Sequence, residues 1–173
     1  MTEVTDSRIY PPMSFSLQTE RLELNPWTEI DIEAYSALIA ARGEGVPSPE
    51  SVRLKMATQH AQAKQNGISL LAIRRRDQGS FVGYCGLIVG RSTLSEPEIA
   101  YELLPKMRGF GYATEAAVAV VAAARATGRN RLCATIRVWN TPSFRVADRL
   151  GFRRDHSTTD DKGELVWMSR QLD

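Results

Sequence analysis

Residues Glu98 to Glu115 read EIAYELLPKMRGFGYATE, and they are the stretch whose types and spacing best suit chemistry. An apolar strand pattern, Glu98 to Leu104, runs into a loop with Gly109 and Gly111, and the loop into an Ala/Val-rich helix from Thr114 to Thr127 that stops at Gly128. A glycine loop at a helix N-terminus leaves backbone N–H groups without partners, and the helix end adds about half a positive charge. Such a place binds anions, most naturally a phosphate or pyrophosphate. Glycine is needed there because a side chain would keep the ligand off the backbone. A plain strand–helix turn uses glycine too, and the loop by itself does not choose between the two. The Walker pattern GxxxxGK[ST] is absent. The dinucleotide fingerprint GxGxxG is met only at Gly109 and Gly111: Thr114 stands third, and no acid occurs in Arg131 to Trp139, where the ribose-binding carboxylate belongs. Both facts argue against a dinucleotide-binding oxidoreductase.

Two carboxylates stand close by. Glu98, Ala100 and Glu102 share one face of the strand and Tyr101 the other. Either Glu could serve as a general base, and either could equally pair with an arginine. Glu115, in the first turn of the helix, suits the dipole and reads as structural. His60 and His156 are isolated, and Asp155-His156-Ser157, being consecutive, is no catalytic triad. Arg74-Arg75-Arg76 reads as a charged strand edge that discourages pairing. No cluster has metal-ligand spacing, so no metal is expected. Cys85 and Cys133 sit in apolar strands and read as small core residues. Two cysteines make no disulfide framework, which points to a reducing, cytoplasmic compartment.

These residues need a scaffold, and the rest of the chain supplies one. The chain has 173 residues, 43% hydrophobic and 24% charged, which is ordinary globular usage and enough for one core. A net charge of +2 is too balanced to imply a nucleic-acid binder, so no nucleic-acid partner is expected, and no apolar run approaches the roughly 18 residues of a membrane span. Residues 1–14 read as a flexible N-terminal arm and 15–173 as a single domain. Phe15 to Asn25 alternates as a first strand. A helix follows from a Thr28/Asp31 capping box, then a second from Ser48-Pro49 to Asn66-Gly67. Ser69 to Arg74 and Phe81 to Val89 form a hairpin in which Gly83 and Gly86 signal a bulge or close approach. After the fourth strand and the loop helix come a strand, Arg131 to Val138, a short helix from Thr141-Pro142 to Gly151, and a last strand, Leu165 to Leu172. The fold class is α+β, a mostly antiparallel sheet with helices on both faces.

Arg108-Gly109-Phe110-Gly111-Tyr112-Ala113 resembles the (Q/R)xxGx(G/A) signature of GNAT-type acetyltransferases, and Thr114-Glu115-Ala116 completes the GYATEA form of one branch. That branch includes ribosomal-protein alanine N-acetyltransferases. Asn140-Thr141-Pro142-Ser143-Phe144-Arg145, followed by Arg149-Leu150-Gly151-Phe152, is similar to its NxxSxR…(K/R)LGF segment, and Thr19-Glu20-Arg21-Leu22 to its opening TERLxL. The resemblance spans about residues 17–172. It implies a sheet splayed between the fourth and fifth strands, with acetyl-CoA in the gap as co-substrate and its pyrophosphate on Arg108 to Thr114. It implies a backbone N–H near Leu103 or Leu104 polarising the thioester carbonyl, Asn140 holding the pantetheine amides, and Arg149 on the cofactor side. Many GNAT enzymes protonate the leaving thiolate with a Tyr on the helix after the fifth strand. None stands there; the resembling branch instead has a Ser near the sulfur at the position of Ser143, so the resemblance makes Ser143 the candidate donor, although Ser also suits a helix's first turn. The implied reaction moves an acetyl group directly to a primary amine of a protein N-terminus or small molecule, with Glu98 or Glu102 as base, in a monomer or homodimer. The rival on the same fold is a non-catalytic acyl-CoA-binding module.

Overall fold

The computed structural model describes residues 10–173. Of the arm expected over residues 1–14, residues 1–9 lie outside that range. Tyr10 and Met13 already pack against the domain. The Tyr10 ring lies 4.5 Å from the Arg129 guanidinium, and Met13 is buried, with its N–H donating to the Gly67 carbonyl at 2.9 Å.

The first strand expected from the alternation of Phe15 to Asn25 is a hairpin of β1 (Leu17–Gln18) and β2 (Leu22–Asn25). The alternating pattern runs straight through the turn, which Thr19 makes by bonding to Leu22 with both its N–H and its hydroxyl. A 3₁₀ turn, Glu29–Asp31, leads into α1 (Ile32–Ala40), and the Thr28/Asp31 capping box is formed. Next is α2 (Pro49–Asn66), capped by Ser48, which accepts from the Ser51 N–H, and closed by Gly67 in the left-handed conformation. Then follow β3 (Leu70–Arg75), β4 (Phe81–Ile88), β5 (Glu98–Leu103), α3 (Tyr112–Ala126), β6 (Arg131–Arg137) and α4 (Thr141–Arg149). The chain ends in a hairpin of β7 (Arg153–Asp160) and β8 (Gly163–Gln171). The sequence does not announce β7. Its residues, RRDHSTTD, are all exposed, so no apolar alternation marks it, and pairing with β8 alone makes it a strand.

The sheet order is β1-β2-β3-β4-β5-β6-β8-β7, antiparallel throughout except between β5 and β6. Those two run parallel and meet only at Glu98 and Cys133. Beyond that point they diverge, so the sheet is splayed where the resemblance places the splay. One face, with Leu71, Ile73, Cys85, Leu87 and Ile99, packs against Ala116, Ala117, Val120 and Ala124 of α3 and Phe144 and Ala147 of α4. The other face carries Ala72 and Phe81 under α1 and α2, around Trp27 stacked on Tyr35 at 4.2 Å. Helices thus cover both faces.

Gly83 and Gly86 fulfil their expectation. A Cβ on Gly83 would stand 2.1 Å from the Glu102 carbonyl oxygen and one on Gly86 2.1 Å from that of Ser69, and the β3–β4 register shifts between Ile73 and Arg74. The arginine run differs from its edge reading. β3 is interior, paired on both sides. Arg74 forms an ion pair with the buried Asp31, Arg75 pairs with Asp77, and Arg76 donates to the Thr19 and Glu20 carbonyls.

Candidate active site

The divergence of β5 and β6 opens a cleft of about 520 Å³, walled by β5, the loop into α3, and α4. Each wall presents groups whose orientation follows from backbone geometry.

On β5, partners in an antiparallel ladder alternate between hydrogen-bonded and non-hydrogen-bonded pairs. The Leu104 N–H donates to the Val82 carbonyl at 2.9 Å, so Leu104 opposite Val82 is a bonded pair. Leu103, opposite Gly83, therefore points its N–H away from β4 and into the cleft, as does Tyr101 two residues back. Of the two candidates for a carbonyl-polarising donor, Leu104 has its N–H spent on the sheet, whereas Leu103 keeps an N–H that faces the cleft.

At the loop, Gly109 and Gly111 have φ of 85° and 80°, left-handed values that favour glycine. Gly111 is the N-cap of α3, which starts two residues before the expected Thr114 and carries no side-chain cap. Its first helical bond is Glu115 N–H to Gly111 carbonyl, 3.1 Å. The N–H groups of Tyr112, Ala113 and Thr114 stand ahead of that bond, and a helix gives such donors no internal partner. Arg108 stands before them at the cleft wall. The uncapped donors, the dipole and the adjacent arginine fit a pyrophosphate. The two aromatic side chains of the loop lie apart from the expected anion path. The Tyr112 ring is buried in the core, and Phe110, 58% exposed, stacks on it at 5.6 Å rather than lining the cleft.

Glu115 holds this loop in place, as its structural reading requires. Its carboxylate accepts from the Thr19 hydroxyl (2.6 Å), the Arg21 N–H (2.9 Å) and the Arg21 guanidinium (2.7 Å), and the same guanidinium covers the Tyr112 ring at 4.6 Å. Burial alone would raise the Glu115 pKa, but the bonds from Thr19 and Arg21 outweigh it and hold it below the ordinary value. A carboxyl lowered in this way stabilises the fold above its ordinary pKa, and the contribution is lost as pH falls through the folded value. Glu115→Gln is therefore expected to cost about 1 kcal/mol at pH 7. In urea unfolding the gap between the two proteins should narrow as pH falls below the ordinary carboxylate range; a gap that does not change with pH would show that the charge is not responsible.

On α4, Asn140 is the N-cap, its Oδ1 accepting from the Ser143 N–H at 3.4 Å. The amide nitrogen of Asn140 remains available to a ligand carbonyl. Ser143, Arg145 and Arg149 line the same wall, so Asn140, Ser143 and Arg149 come together with Leu103 and the loop. Sequence reasoning gave no role to Tyr101 or Arg145. The Tyr101 hydroxyl donates to the Ser143 carbonyl at 2.9 Å across the cleft, and only its strand face was legible beforehand.

The two carboxylates part company. Glu102 lines the cleft, where Arg42 from the end of α1 grips it through Nε and Nη2, each at 2.8 Å, and the Tyr84 hydroxyl donates to it at 3.1 Å. Burial and the neighbouring Glu102 charge push the Tyr84 pKa up, so it stays a donor. Glu98 lies at the opposite end of β5. It is buried, accepts from the Thr135 hydroxyl and the Arg91 N–H, and ties β5 to β6 where the sheet is still closed. The expectation of a catalytic Glu98 is not supported, because its oxygens are committed and it does not line the cleft.

Among the described residues, no three His, Cys, Asp or Glu side chains gather as a metal site would, and no helix is long and apolar enough to cross a membrane.

No curated protein matches the sequence. Among solved structures, a GnaT-family acetyltransferase from Bordetella pertussis is 26% identical, with a TM-score of 0.78 over 90% of this chain and 98% of its own. An acetyltransferase from Agrobacterium tumefaciens is 28% identical, with a TM-score of 0.76 over 94% and 96%. RimJ from Mycobacterium smegmatis, solved in complex with CoA-disulfide, shares the fold at 21% identity, with a TM-score of 0.76 over 93% and 88%. The acetyltransferase (GNAT) domain model matches residues 21–153, a span that holds β5, the glycine loop and α4 alike, and the chain belongs to the GNAT acetyltransferases.

Proposed function

We propose that this enzyme is an acetyl-CoA-dependent N-acetyltransferase that acts on a primary amine, of a protein N-terminus or a small molecule, by direct attack within a ternary complex. The observation that carries the reading is the splayed sheet: the free edge of β5, with the Leu103 N–H turned outward, leads directly onto the uncapped N-terminus of α3. An extended amide-bearing chain that ends in a pyrophosphate matches that path, pairing with β5 as an added strand would and placing its anion on the loop. RimL, a ribosomal L7/L12 α-N-protein acetyltransferase in complex with coenzyme A, shares the fold at 18% identity.

Acetyl-CoA supplies an acyl group on a thioester, activated toward an amine. The chain's own residues do the rest. The amides of Tyr112, Ala113 and Thr114, with Arg108, bind the pyrophosphate, while Arg149 adds positive charge to the cofactor wall. Asn140 holds the pantetheine amides. The Leu103 N–H donates to the carbonyl oxygen as negative charge grows on it, an oxyanion hole with one main donor. Ser143 donates to the departing sulfur. Glu102 is the remaining carboxylate at the cleft and takes the amine proton, directly or through water, once the Arg42 grip loosens.

A panel of protein N-terminal peptides, polyamines, aminoglycosides and amino acids, assayed by CoA release, tests the reading. At least one class should give saturable turnover with an acetylated product. CoA binding without turnover on any class would favour the acyl-CoA-binding alternative.

A further inference from the structure

We propose that Tyr101 is a positioning residue of the acetyl transfer: from β5 it reaches across the open cleft and holds Ser143 of α4 in place. The proposal rests on the reading of Ser143 as thiolate donor. Beyond Glu98 and Cys133 no strand pairing joins the two arms of the splayed sheet. Among the described residues, the bond from the Tyr101 hydroxyl to the Ser143 carbonyl, 2.9 Å, is the only hydrogen bond between β5 and α4. It meets a second constraint at the same residue, since Asn140 already accepts from the Ser143 N–H at 3.4 Å. The Ser143 backbone is thus held on both sides, the N–H by the helix cap and the carbonyl by the opposite wall.

The location gives this consequence. The helix that carries Ser143 is nine residues long, and such a helix depends on tertiary contacts rather than on its own propensity. A donor must be held within about 0.5 Å of its productive position to serve the reacting atom. Without the tie, the first turn of α4 is free to drift from β5, and the cleft widens where the Leu103 N–H and the Ser143 hydroxyl must converge on one thioester. Tyr101 is partly buried beside the cofactor cleft. Burial raises its pKa, so the hydroxyl remains a donor across the working pH range.

Tyr101→Phe deletes one oxygen and keeps the ring. With acetyl-CoA and the best acceptor of the panel, kcat should fall about fivefold to twentyfold, within the coupling expected of residues in contact, while KM for acetyl-CoA stays within about twofold. In a Ser143→Ala background the same substitution should change kcat by less than about twofold, because the group it positions is gone. Hydrogen exchange should quicken at the first-turn amides of α4, with little change in melting temperature. A KM that rises without loss of kcat, an equal loss of kcat in both backgrounds, or an unchanged kcat would each overturn the proposal. Ser143→Ala alone separates the two readings. If it slows transfer and Tyr101→Phe does not, only the positioning role fails; if it does not slow transfer, the thiolate-donor role fails first.

Discussion

Gly111→Val is expected to abolish acetyl-CoA binding, with an affinity loss of about a hundredfold or more. Gly111 holds φ at 80°, and a side chain in that region costs about 1–2 kcal/mol, more for a β-branched one. Contacts within the protein do not add to the strain: a Cβ there would meet only Arg21 Nη2, at an ordinary 3.6 Å. The larger loss comes from the ligand side. Relaxing the strain turns the first peptide planes of α3 and disperses N–H groups that now converge, and each hydrogen bond to a charged group contributes about 1.5–3 kcal/mol. Two such losses reach the hundredfold. Calorimetry with CoA measures the effect. The melting temperature should drop by several degrees, since about 1 kcal/mol shifts a domain of this size by roughly 2–4 °C. Unchanged affinity in the folded variant would remove the pyrophosphate from this loop.

Ser143→Ala is expected to lower kcat by about tenfold to a thousandfold, the scale of one lost proton or oxyanion donor. A bond to the departing sulfur matters most as charge develops there, so its removal acts on the transition state more than on binding. The affinity for acetyl-CoA should change little, because the α3 amides and Asn140 are untouched. The Ser143 N–H, not its hydroxyl, makes the bond within the α4 cap, so the variant should melt near the parent. Steady-state kinetics at saturating acceptor decide the matter: a kcat within twofold of the parent would return Ser143 to a helix-start role and leave water as the proton source.

The elements that sequence revealed are those whose residues carry their own local reasons. The Thr28/Asp31 box, the Ser48 cap and the Gly67 stop each satisfy backbone groups within a few residues, and all are formed. The glycine loop was legible for the same reason, since left-handed backbone and an uncapped helix end are local needs that only certain residues meet. β7 was not legible, because eight exposed polar residues form a strand only when β8 supplies the ladder. The β1–β2 turn stayed hidden because alternation in sequence does not register a reversal of direction.

At the site, residue types and spacing pointed to a loop whose backbone suits an anion and to two candidate carboxylates. They did not settle which of two neighbouring groups would be free to act, because that depends on partners distant in the chain. Leu103 and Leu104 are indistinguishable until the register with β4 spends one N–H on Val82 and turns the other outward. Glu98 and Glu102 share a strand face, yet Thr135 and Arg91 bury the first while Arg42 and Tyr84 hold the second at the cleft. Tyr101 gained its partner only when α4 folded back across the splay. Local chemistry is written in neighbours along the chain, whereas the availability of a donor or a carboxylate is settled by which distant groups have already claimed it.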